Sequence, residues 1–556
     1  MTLFDHNKYR PTPAVPIPNR QWPSRAITKA PIWASVDLRD GNQALLEPMD
    51  VNQKQRMWAL LIKLGFKDIE VGFPSASKPD YNFVRWLIEE NQIPEDVTIQ
   101  ALVQAREELI VRTFEALKGA KRAIVHVYNS TSTVQRERVF EMDKDGIKDI
   151  ACFGAKLLKR EAAKYPETEW MFEYSPESFT GTEMEYAVEV CNAVIDIWQP
   201  TVDKPCIINL PSTVESATPN IFADQVEYFA SHIHHRDKII LSVHTHNDRG
   251  CAVAASELAL LAGADRVEGC LLGNGERTGN LDIITMAMNL YSQGIDPKLD
   301  ISNPDEMISI VTECTRIPVH PRHPWVGEMV YTAFSGSHQD AIRKCLRVQT
   351  ENEHWQVAYL PIDPKDIGRD YQAVIRVNSQ SGKGGVAFVM ERDYGIVLPR
   401  WMQIELSQLV QHESESHAGE IDSASIYSIF QNHFVADQTP NSLRSYQLHR
   451  IDNQDEIEFT LRENNSDITL SGAGDGALSA FVDACNRHFG QQLDVMDYSE
   501  HAVGEGTNVQ AVAFISLKID GQRVSGASLD DDAVSASMKA MLSAINRFRL
   551  KQLRAA

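Results

Sequence analysis

The feature that most constrains the fold is the regular alternation, between residues 31 and 305, of short β-branched runs with segments of helical periodicity. This alternation indicates βαβ units and therefore a parallel sheet. Eight strands, each followed by a helix, close a (β/α)8 barrel in about 250 residues, which matches the length available here. An open, doubly wound sheet is the alternative. The eight predicted strands are Ile32–Asp37, Ile69–Phe73, Ile99–Gln104, Ala123–Tyr128, Trp170–Tyr174, Cys206–Leu210, Ile239–His244 and Arg266–Leu271.

The rest of the 556-residue chain divides into three further segments. Residues 1–30 are rich in proline, which fixes φ and lacks an N–H donor, so we expect an extended arm lying on the barrel. We interpret residues 306–430 as linker subdomains. Residues 431–556 show strand and helix patterns that predict a separate α+β domain. The predicted fold class is thus α/β: a (β/α)8 TIM barrel, linker subdomains and a C-terminal α+β domain.

Two regions downstream of the barrel give local predictions. The Gly-rich stretch Ser379–Gly385 lacks the spacing of a phosphate-binding loop, and the apolar run Val386–Met390 after it predicts a strand, so we interpret the stretch as a plain turn. In the last domain the predicted elements are the strands Ser445–Ile451, Glu456–Leu461, Asp467–Ser471 and Ala511–Ile519 and the helices Ala477–Phe489 and Asp532–Phe548.

Composition excludes several classes of function. The formal charge is −22, from 54 basic and 76 acidic residues, and so acidic a chain lacks the basic surface that nucleic acid or an anionic membrane requires. No apolar run approaches the roughly 20 residues of a membrane-spanning helix, and the N-terminus shows no export signal. The eight cysteines form no CxxC motif, which favours a reduced, cytoplasmic protein over a disulfide framework or a zinc–thiolate site.

The most specific local motif, HTHND, ends the seventh predicted strand and contains His244 and His246. Side chains at i and i+2 of a strand point to the same side, so both imidazoles project together at the C-terminal mouth of the barrel, where the active sites of this fold lie. Because histidine is the commonest transition-metal ligand, the pair predicts a metal site. A pair of hydrogen-bonded structural histidines is the alternative.

Two further candidate ligands follow the neighbouring strands. Asp40 follows the first predicted strand and Asn280 the eighth, and in a closed barrel these strands lie beside the seventh. Asp40, His244, His246 and Asn280 can therefore surround one point. Nitrogen and oxygen ligands without thiolate suit Mg²⁺, Mn²⁺ or Zn²⁺, and open positions would let the ion bind substrate as well. For Asp40 the alternative is an ordinary helix N-cap.

Nine motifs resemble those of the long-form 2-isopropylmalate synthases, within the wider group of Claisen-condensing, metal-dependent barrels related to pyruvate carboxyltransferases. The resemblance covers essentially the whole chain and is most specific from residue 31 to about residue 390. It rests on DLRDGNQAL (Asp37–Leu45), LVQAR (Leu102–Arg106), VHVYNST (Val125–Thr131), EYSPESFTGTE (Glu173–Glu183), NLPSTVE (Asn209–Glu215), HTHND (His244–Asp248), GNGERTGN (Gly273–Asn280), FSGSHQDA (Phe334–Ala341) and YLPIDPKDIGRDY (Tyr359–Tyr371).

The resemblance implies an acyltransferase that condenses acetyl-CoA with 2-oxoisovalerate and water to give 2-isopropylmalate and CoA, the committed step of leucine biosynthesis. It also implies a divalent ion, with Mg²⁺ expected, held by Asp40, His244, His246 and Asn280 and chelated by the oxoacid. These are expectations from the family.

Catalytic and substrate-binding roles follow from the same resemblance. Arg39 is expected to stabilise charge on oxygen, because its guanidinium is permanently charged. Glu177, His338 and Tyr371 match acid–base or water-activating positions, without an assignment of individual steps. The alternatives are purely structural: an ion pair for Arg39, a helix cap for Glu177 and a structural role for His338. The residues that match substrate contacts are His126, Ser175 and Thr213.

His338 and Tyr371 lie outside the barrel segment, which has a consequence for assembly. A downstream subdomain must fold over a barrel mouth, either its own or that of the other subunit. We therefore expect a homodimer.

The C-terminal domain resembles the regulatory domain of the family, where leucine binds and inhibits. Gly474, Gly476 and Ala477 lie in a Gly-rich turn at a predicted helix start, where backbone amides can hold a carboxylate. A second unit, from Gly504 to Ala540, would repeat that half. The sequence departs from the family at Ser525–Ser528, where a Trp-Gly-Val-Gly type run is common, so the strength of leucine control stays open.

Three rival functions remain at this point. A citramalate, homocitrate or hydroxymethylglutaryl-type enzyme would keep the metal ligands and change the oxoacid pocket. A non-catalytic amino-acid sensor would have no need for the complete set of Arg39, Asp40, Glu177, His244 and His246. Carboxyl transfer from pyruvate would require a lysine ligand at a strand end, and the sequence offers none that fits.

Overall fold

The computed structural model describes residues 8, 10, 12–369, 383–417, 421–435, 440–452, 454–504 and 509–555. They form two compact units, residues 1–330 and 331–556. Tyr371 lies outside the described residues. Among the helices of the described ranges, none is both long enough and apolar enough to cross a bilayer. All eight cysteines are free thiols.

The first unit contains the predicted barrel. Eight strands pair in sequence order, every neighbouring pair is parallel, and the ring closes where the first strand pairs with the eighth. This confirms the (β/α)8 prediction and excludes the open sheet. The strands are β1 Ile32–Ser35, β2 Asp68–Gly72, β3 Thr98–Gln104, β4 Arg122–Ser130, β5 Glu169–Glu177, β6 Cys206–Ser212, β7 Ile239–Thr245 and β8 Arg266–Gly269.

Helices surround this ring, and their ends follow ordinary capping chemistry. The first, for example, begins after a reciprocal capping box between Asp50 and Gln53 and ends at Gly65, whose φ of 102° suits glycine. The helices of the first unit are α1 Val51–Leu64, α2 Lys78–Glu89, α3 Glu107–Leu117, α4 Thr133–Gln135, α5 Lys144–Ala162, α6 Met184–Trp198, α7 Pro219–His232, α8 Ala252–Leu261, α9 Ile283–Tyr291 and α10 Pro304–Thr315.

The proline-rich arm packs against the outside of the barrel. Arg20 donates from Nε and Nη2 to the two carboxylate oxygens of Asp224 on α7, at 2.6 and 2.8 Å. The indole nitrogen of Trp22 donates to Asp224 at 2.9 Å, and its backbone N–H donates to Glu227 at 2.9 Å. Nearer the mouth, the hydroxyl of Thr12 donates to the carbonyl of Ser216 at 3.2 Å. The arm is thus fastened along one side of the barrel.

The second unit begins with helices and ends with two similar halves. Each half is a three-stranded antiparallel sheet followed by a helix, and the strand orders are β11-β10-β9 and β12-β13-β14. The elements are α11 Gly336–Val348, α12 Lys383–Tyr394, α13 Arg400–His417, α14 Ser423–Phe430, β9 Asn441–Ile451, β10 Gln454–Glu463, β11 Ser466–Gly474, α15 Ala477–Phe489, β12 Leu493–Val503, β13 Gln510–Ile519, β14 Gln522–Asp530 and α16 Ala533–Ala555.

Two local predictions need correction here. The run Val386–Met390 was predicted as a strand but lies within helix α12, where Val386, Val389 and Met390 are buried at helical spacing. The Gly-rich run before it is not simply a turn, because Lys383–Gly385 starts the same helix and the rest lies outside the described residues. A short apolar run fits either structure, and its periodicity alone does not decide between them.

The two halves share one packing device. A Cβ atom on Gly472 of β11 would lie 2.1 Å from the carbonyl oxygen of Ala480 in α15. A Cβ on Gly526 of β14 would lie 2.2 Å from the carbonyl oxygen of Ala540 in α16. In each half, therefore, a glycine lets the helix approach the sheet closely.

Replacing Gly472 with alanine is expected to destabilise the second unit by about 1–3 kcal/mol, the usual cost of forcing extra volume into a packed core. Thermal unfolding of the full chain should show a lower melting temperature for this variant than for the unmodified protein. Gly476→Ala is the matched control, because Gly476 has extended backbone with φ of −168° and no neighbour within 4 Å of the added carbon. Equal melting temperatures for the two variants would contradict this account.

Candidate metal centre and active site

The C-terminal mouth of the barrel holds a pocket of about 210 Å³. This is the end at which the loops after the strands meet, so side chains from most of the strands reach it. The predicted site residues that line it are Arg39, Asp40, His126, Ser175, Glu177, Thr213, His244 and His246. The structure thus brings together eight of the nine barrel residues predicted for the site.

Asp40, His244 and His246 converge on one point in this pocket. Oδ2 of Asp40 lies 3.1 Å from Nε2 of His244 and 3.5 Å from Nε2 of His246. The two Nε2 atoms are 3.4 Å apart. One ligand atom from each residue lies within 4.8 Å of the other two, and all three side chains are buried. This arrangement matches two histidines and a carboxylate around a metal ion.

The other nitrogen of each imidazole is already engaged. Nδ1 of His244 lies 2.9 Å from Oε2 of Glu268, and Nδ1 of His246 lies 2.6 Å from the carbonyl oxygen of Thr213 and 2.8 Å from Nη2 of Arg277. With hydrogen on each Nδ1 facing these acceptors, each Nε2 is able to present a lone pair to a cation. Two lone pairs and a carboxylate oxygen therefore face each other, which is a donor set for a cation.

The electrostatics of the metal-free site agree with this geometry. Burial opposes charge on Asp40, but the Arg39 guanidinium and hydrogen bonds from both histidines hold the pKa of its carboxyl well below the usual value. Burial also opposes charge on His244, yet hydrogen bonds with Asp40 and Glu268 raise its pKa to about 9. A proton on His244 thus serves the role that a cation would take over.

Asn280 provides the fourth predicted ligand, although it is not among the residues lining the pocket. Its backbone forms an isolated antiparallel bridge with His246, the neighbouring ligand. The side chain is 1% exposed, and its amide oxygen has no hydrogen-bond partner among the described residues. An orphaned buried acceptor calls for an explanation, and a cation is one that fits. The residues present therefore fit a divalent ion.

Arg39 is fixed between two carboxylates. Its Nε donates to Glu70 on β2, and its Nη1 lies 3.2 Å from Oδ2 of Asp40. Arg39 therefore does pair with a barrel carboxylate, as its alternative interpretation held, and it also lines the pocket. The ion pair places the guanidinium beside the candidate ion, where it can stabilise charge on a bound oxygen.

Glu70 also anchors His126, the first of the predicted substrate contacts. Nδ1 of His126 lies 2.9 Å from Glu70, and its Nε2 lies 2.7 Å from the hydroxyl of Ser175. The amide of Asn209 donates to the same hydroxyl at 3.0 Å. A connected polar network therefore presents His126 and Ser175 to the pocket in fixed orientations.

Glu177 ends strand β5 and accepts a hydrogen bond from the Ser130 hydroxyl. The next residue, Ser178, has a φ of 60°, an uncommon backbone state outside glycine. Its N–H donates to the hydroxyl of Thr213 at 2.8 Å, which stabilises the turn. Thr213 thus connects the candidate base to His246, whose ring donates to its carbonyl. Glu177 faces the pocket and does not cap a helix.

Asp37 begins and holds the single π-helical turn, Asp37–Gly41, that carries Arg39 and Asp40. Its Oδ1 accepts from the backbone N–H of Leu271 after β8, at 3.0 Å, and its Oδ2 accepts from the Ser35 hydroxyl at 2.7 Å. Burial raises the pKa of this carboxyl to about 7. The charged form therefore carries an energetic penalty at neutral pH.

We expect Asp37→Asn to become relatively more stable than the unmodified protein as pH rises from 4 to 7. The folded carboxyl, with its raised pKa, retains a proton that the unfolded chain has already lost, so folding stability falls across this window. At 1.36 kcal/mol per pKa unit the difference can reach about 4 kcal/mol. Urea unfolding followed by tryptophan fluorescence at pH 5 and pH 8 measures it. A difference that does not change with pH would refute the assignment.

The remaining predicted residues lie in the second unit or outside the described chain. His338 is on helix α11, and its ring stacks on Tyr359 with centroids 3.9 Å apart. Tyr371 is not described. Their roles therefore stay predictions.

The candidate effector residues are arranged differently from the predicted turn. Gly474 ends strand β11, Gly476 caps helix α15 and Ala477 begins it, so the Gly-rich run is half strand and half helix start. A Cβ on Gly474 would lie 2.3 Å from the Ser479 hydroxyl. The divergent Ser525 lies in β14, a strand missed from the sequence, and donates to Glu405 of α13 at 2.5 Å.

The sequence did not reveal a network of ionisable side chains inside the barrel. Its members lie on three strands, β2, β5 and β8, and are fully buried: Glu70, Glu173, Arg266 and Glu268. Barrel interiors are usually filled with branched apolar side chains. The available signal was an ionisable residue within a short apolar parallel strand, as in Arg266-Val267-Glu268.

Three family profiles match successive segments of the chain. An HMGL-like profile matches residues 30–311, a profile for the post-catalytic domain of alpha-isopropylmalate synthase matches residues 328–391, and a LeuA allosteric (dimerisation) domain profile matches residues 420–549. Among solved structures, a hydroxymethylglutaryl-CoA lyase from Pseudomonas aeruginosa is 20% identical, with a TM-score of 0.42, over 52% of this chain and 93% of that one.

Curated relatives named 2-isopropylmalate synthase match almost the entire chain. The protein from Pseudomonas fluorescens (strain SBW25) is 55% identical over 97% of both chains. The protein from Pseudomonas putida (strain W619) is 54% identical over 97% of both, and that from Alcanivorax borkumensis is 53% identical over 98% of both. With this identity along its full length, the chain belongs to the 2-isopropylmalate synthase family.

Proposed function

We propose that this enzyme condenses acetyl-CoA with 2-oxoisovalerate and water to give 2-isopropylmalate and CoA. The observation that carries the proposal is the convergence of Asp40, His244 and His246 in a pocket that Arg39 and Glu177 also line. This set combines cation ligands, a fixed positive charge and a further carboxylate, which a condensation between an enolisable thioester and a ketone requires.

The chain's own side chains divide the chemistry as follows. A divalent ion, which we propose to be Mg²⁺, would be held by Asp40, His244, His246 and Asn280 and would supply Lewis-acid polarisation of the keto group. Arg39 stabilises negative charge that develops on the keto oxygen. The proposed oxoacid site thus lies beside a fixed guanidinium.

Glu177 accepts the proton that the acetyl methyl group loses as the carbon–carbon bond forms. The keto oxygen takes up a proton and becomes the tertiary hydroxyl, and water cleaves the thioester to release the CoA thiol. His126 and Ser175, held by the network below them, bind the oxoacid together with Thr213. For His338 and Tyr371, acid–base or water-activating roles rest on the family resemblance.

Regulation and assembly are proposed on the same basis. The match of residues 420–549 to an allosteric dimerisation domain supports a homodimer and an effector, which we propose to be leucine. Helix α15 begins at Ala477, where free backbone N–H groups can bind a carboxylate. A cytoplasmic location stays a prediction.

The function is tested by CoA-thiol release from acetyl-CoA with added metal and a panel of oxoacids, with and without leucine. We expect release with 2-oxoisovalerate that depends on the metal and falls when leucine is present. A clear preference for pyruvate or 2-oxoglutarate would instead identify a citramalate or homocitrate synthase. Release with none of the oxoacids would support the non-catalytic sensor.

A further inference from the structure

One side chain inside the barrel connects the candidate metal centre to the protein core. Glu268 projects from β8, is fully buried, and places Oε2 at 2.9 Å from Nδ1 of His244. On the opposite side of the same imidazole, Nε2 faces Asp40 at 3.1 Å. His244 therefore lies between the core carboxylate and the ligand carboxylate, with one nitrogen directed to each.

The core holds Glu268 in one orientation. Arg266, two residues earlier on the same strand, donates to Oε1 at 2.8 Å, and Gln100 donates to Oε1 at 3.1 Å. Asn209 donates to Oε2 at 3.2 Å. Arg266 is itself fixed, because it also donates to Asp68 and to Gln100 at 3.0 and 2.6 Å. With three donors besides His244, the carboxylate has no freedom to turn away from the ring.

We propose that Glu268 is a positioning residue of the metal centre, which orients His244 and strengthens it as a ligand by accepting the hydrogen of Nδ1. Histidine ligands commonly donate their second N–H to a carboxylate, which fixes the tautomer and raises the basicity of the ligating nitrogen. This inference rests on the proposed function, because it requires Asp40, His244 and His246 to bind a cation.

The two candidate histidine ligands differ in this respect. Nδ1 of His246 faces the neutral backbone carbonyl of Thr213 and the guanidinium of Arg277, whereas Nδ1 of His244 faces a buried anion. An anionic acceptor makes a hydrogen bond about twice as strong as a neutral one. His244 is therefore the stronger and better oriented of the two ligands, and its strength depends on Glu268.

The chain offers a matched control in Glu173, another fully buried glutamate inside the barrel. It lies 3.6 Å from Nη1 of Arg266 and 3.6 Å from Nε2 of His126, and its two oxygens accept no hydrogen bond within the described residues. Burial and the nearby charge of Glu268 raise the pKa of Glu173 well above its usual value. Glu173→Gln therefore replaces a neutral side chain by a neutral one of the same shape.

The experiment titrates metal-free protein with Mn²⁺ and follows the free ion by electron paramagnetic resonance. For Glu268→Gln, which keeps the shape and removes the charge, we expect the dissociation constant to rise about 10- to 100-fold. For Glu173→Gln we expect the value of the unmodified protein. Thermal unfolding of the metal-free variants verifies that both are folded.

Each outcome has one meaning. If the unmodified protein binds no Mn²⁺ at a defined site, the proposed metal centre itself fails. If it binds, and Glu268→Gln binds equally well or Glu173→Gln loses as much affinity, the role of Glu268 is overturned. Should Glu268→Gln fail to fold, Glu268→Asp keeps the charge near Arg266 but withdraws it from His244, and we expect at least about tenfold weaker binding. Unchanged affinity in that variant also refutes the proposal.

Discussion

Replacing Asp40 with asparagine is expected to abolish tight metal binding and to lower kcat by about 1,000-fold or more. Oδ2 of Asp40 is the anionic atom that faces Nε2 of both His244 and His246, at 3.1 and 3.5 Å. A metal ion contributes several kcal/mol of charge stabilisation in the transition state, and each 1.4 kcal/mol is a factor of ten. The loss should therefore appear in catalysis and in binding alike.

Two measurements separate this effect from misfolding. Mn²⁺ titration of the metal-free variant reports binding, and CoA release at saturating metal reports the residual kcat. The matched control is Asp50→Asn, which removes a carboxylate from the exposed N-cap of α1 and should leave both quantities unchanged. Binding of Mn²⁺ by Asp40→Asn with unaltered affinity would show that the ion, if it is needed, is held elsewhere.

Replacing Glu177 with glutamine is expected to lower kcat by about 100- to 10,000-fold, the range typical for loss of a general base. The substitution keeps the side-chain shape, so the Ser130 hydroxyl still has an oxygen to donate to. The affinity for Mn²⁺ and the KM for the oxoacid should change little, because Glu177 makes no contact with the candidate ligands within the described residues. A selective loss of kcat is the expected pattern.

Proton exchange tests the assigned step directly. If Glu177 removes the methyl proton of acetyl-CoA, incorporation of solvent deuterium into a non-condensing mixture should fall together with kcat. Glu183→Gln is the control: this residue lies six positions further along, pairs with Arg136 and does not line the pocket. A variant that keeps exchange but loses thioester hydrolysis would reassign Glu177 to the water-activating step.

Much of the barrel could be predicted from the sequence because its strands are buried on both faces. Such strands read as short continuous apolar runs, and all eight predictions overlap an observed strand. The C-terminal ends of β4, β5 and β6 were predicted two or three residues too early, and these strands continue into polar residues such as Ser130 and Glu177. These ends contribute residues to the site. The polar residues that the site requires interrupt the apolar run by which the strand was predicted.

The second unit was less predictable for a related reason. Strands β12 and β14 carry many polar or small residues, as in Gln522–Asp530, so they show no continuous apolar run. Helix α12 has too short an apolar run to be told from a strand. The ligand pair in HTHND was predictable from strand geometry, whereas the contact between Glu268 and His244 depends on which inward side chains share a level of the barrel.

The N-terminal arm bears on any redesign of this protein. Asp224 and Glu227, 2% and 7% exposed, owe their shielding to Arg20, Gln21 and Trp22. A chain trimmed to start near Ile32 would lose these donors and leave two carboxylates on the outside of the barrel without them. An arginine-rich purification tag fused at that end would compete for the same two carboxylates in place of the native peptide. Fusion partners are therefore better attached through a long spacer before residue 1, so that the native arm keeps its contacts with Asp224 and Glu227.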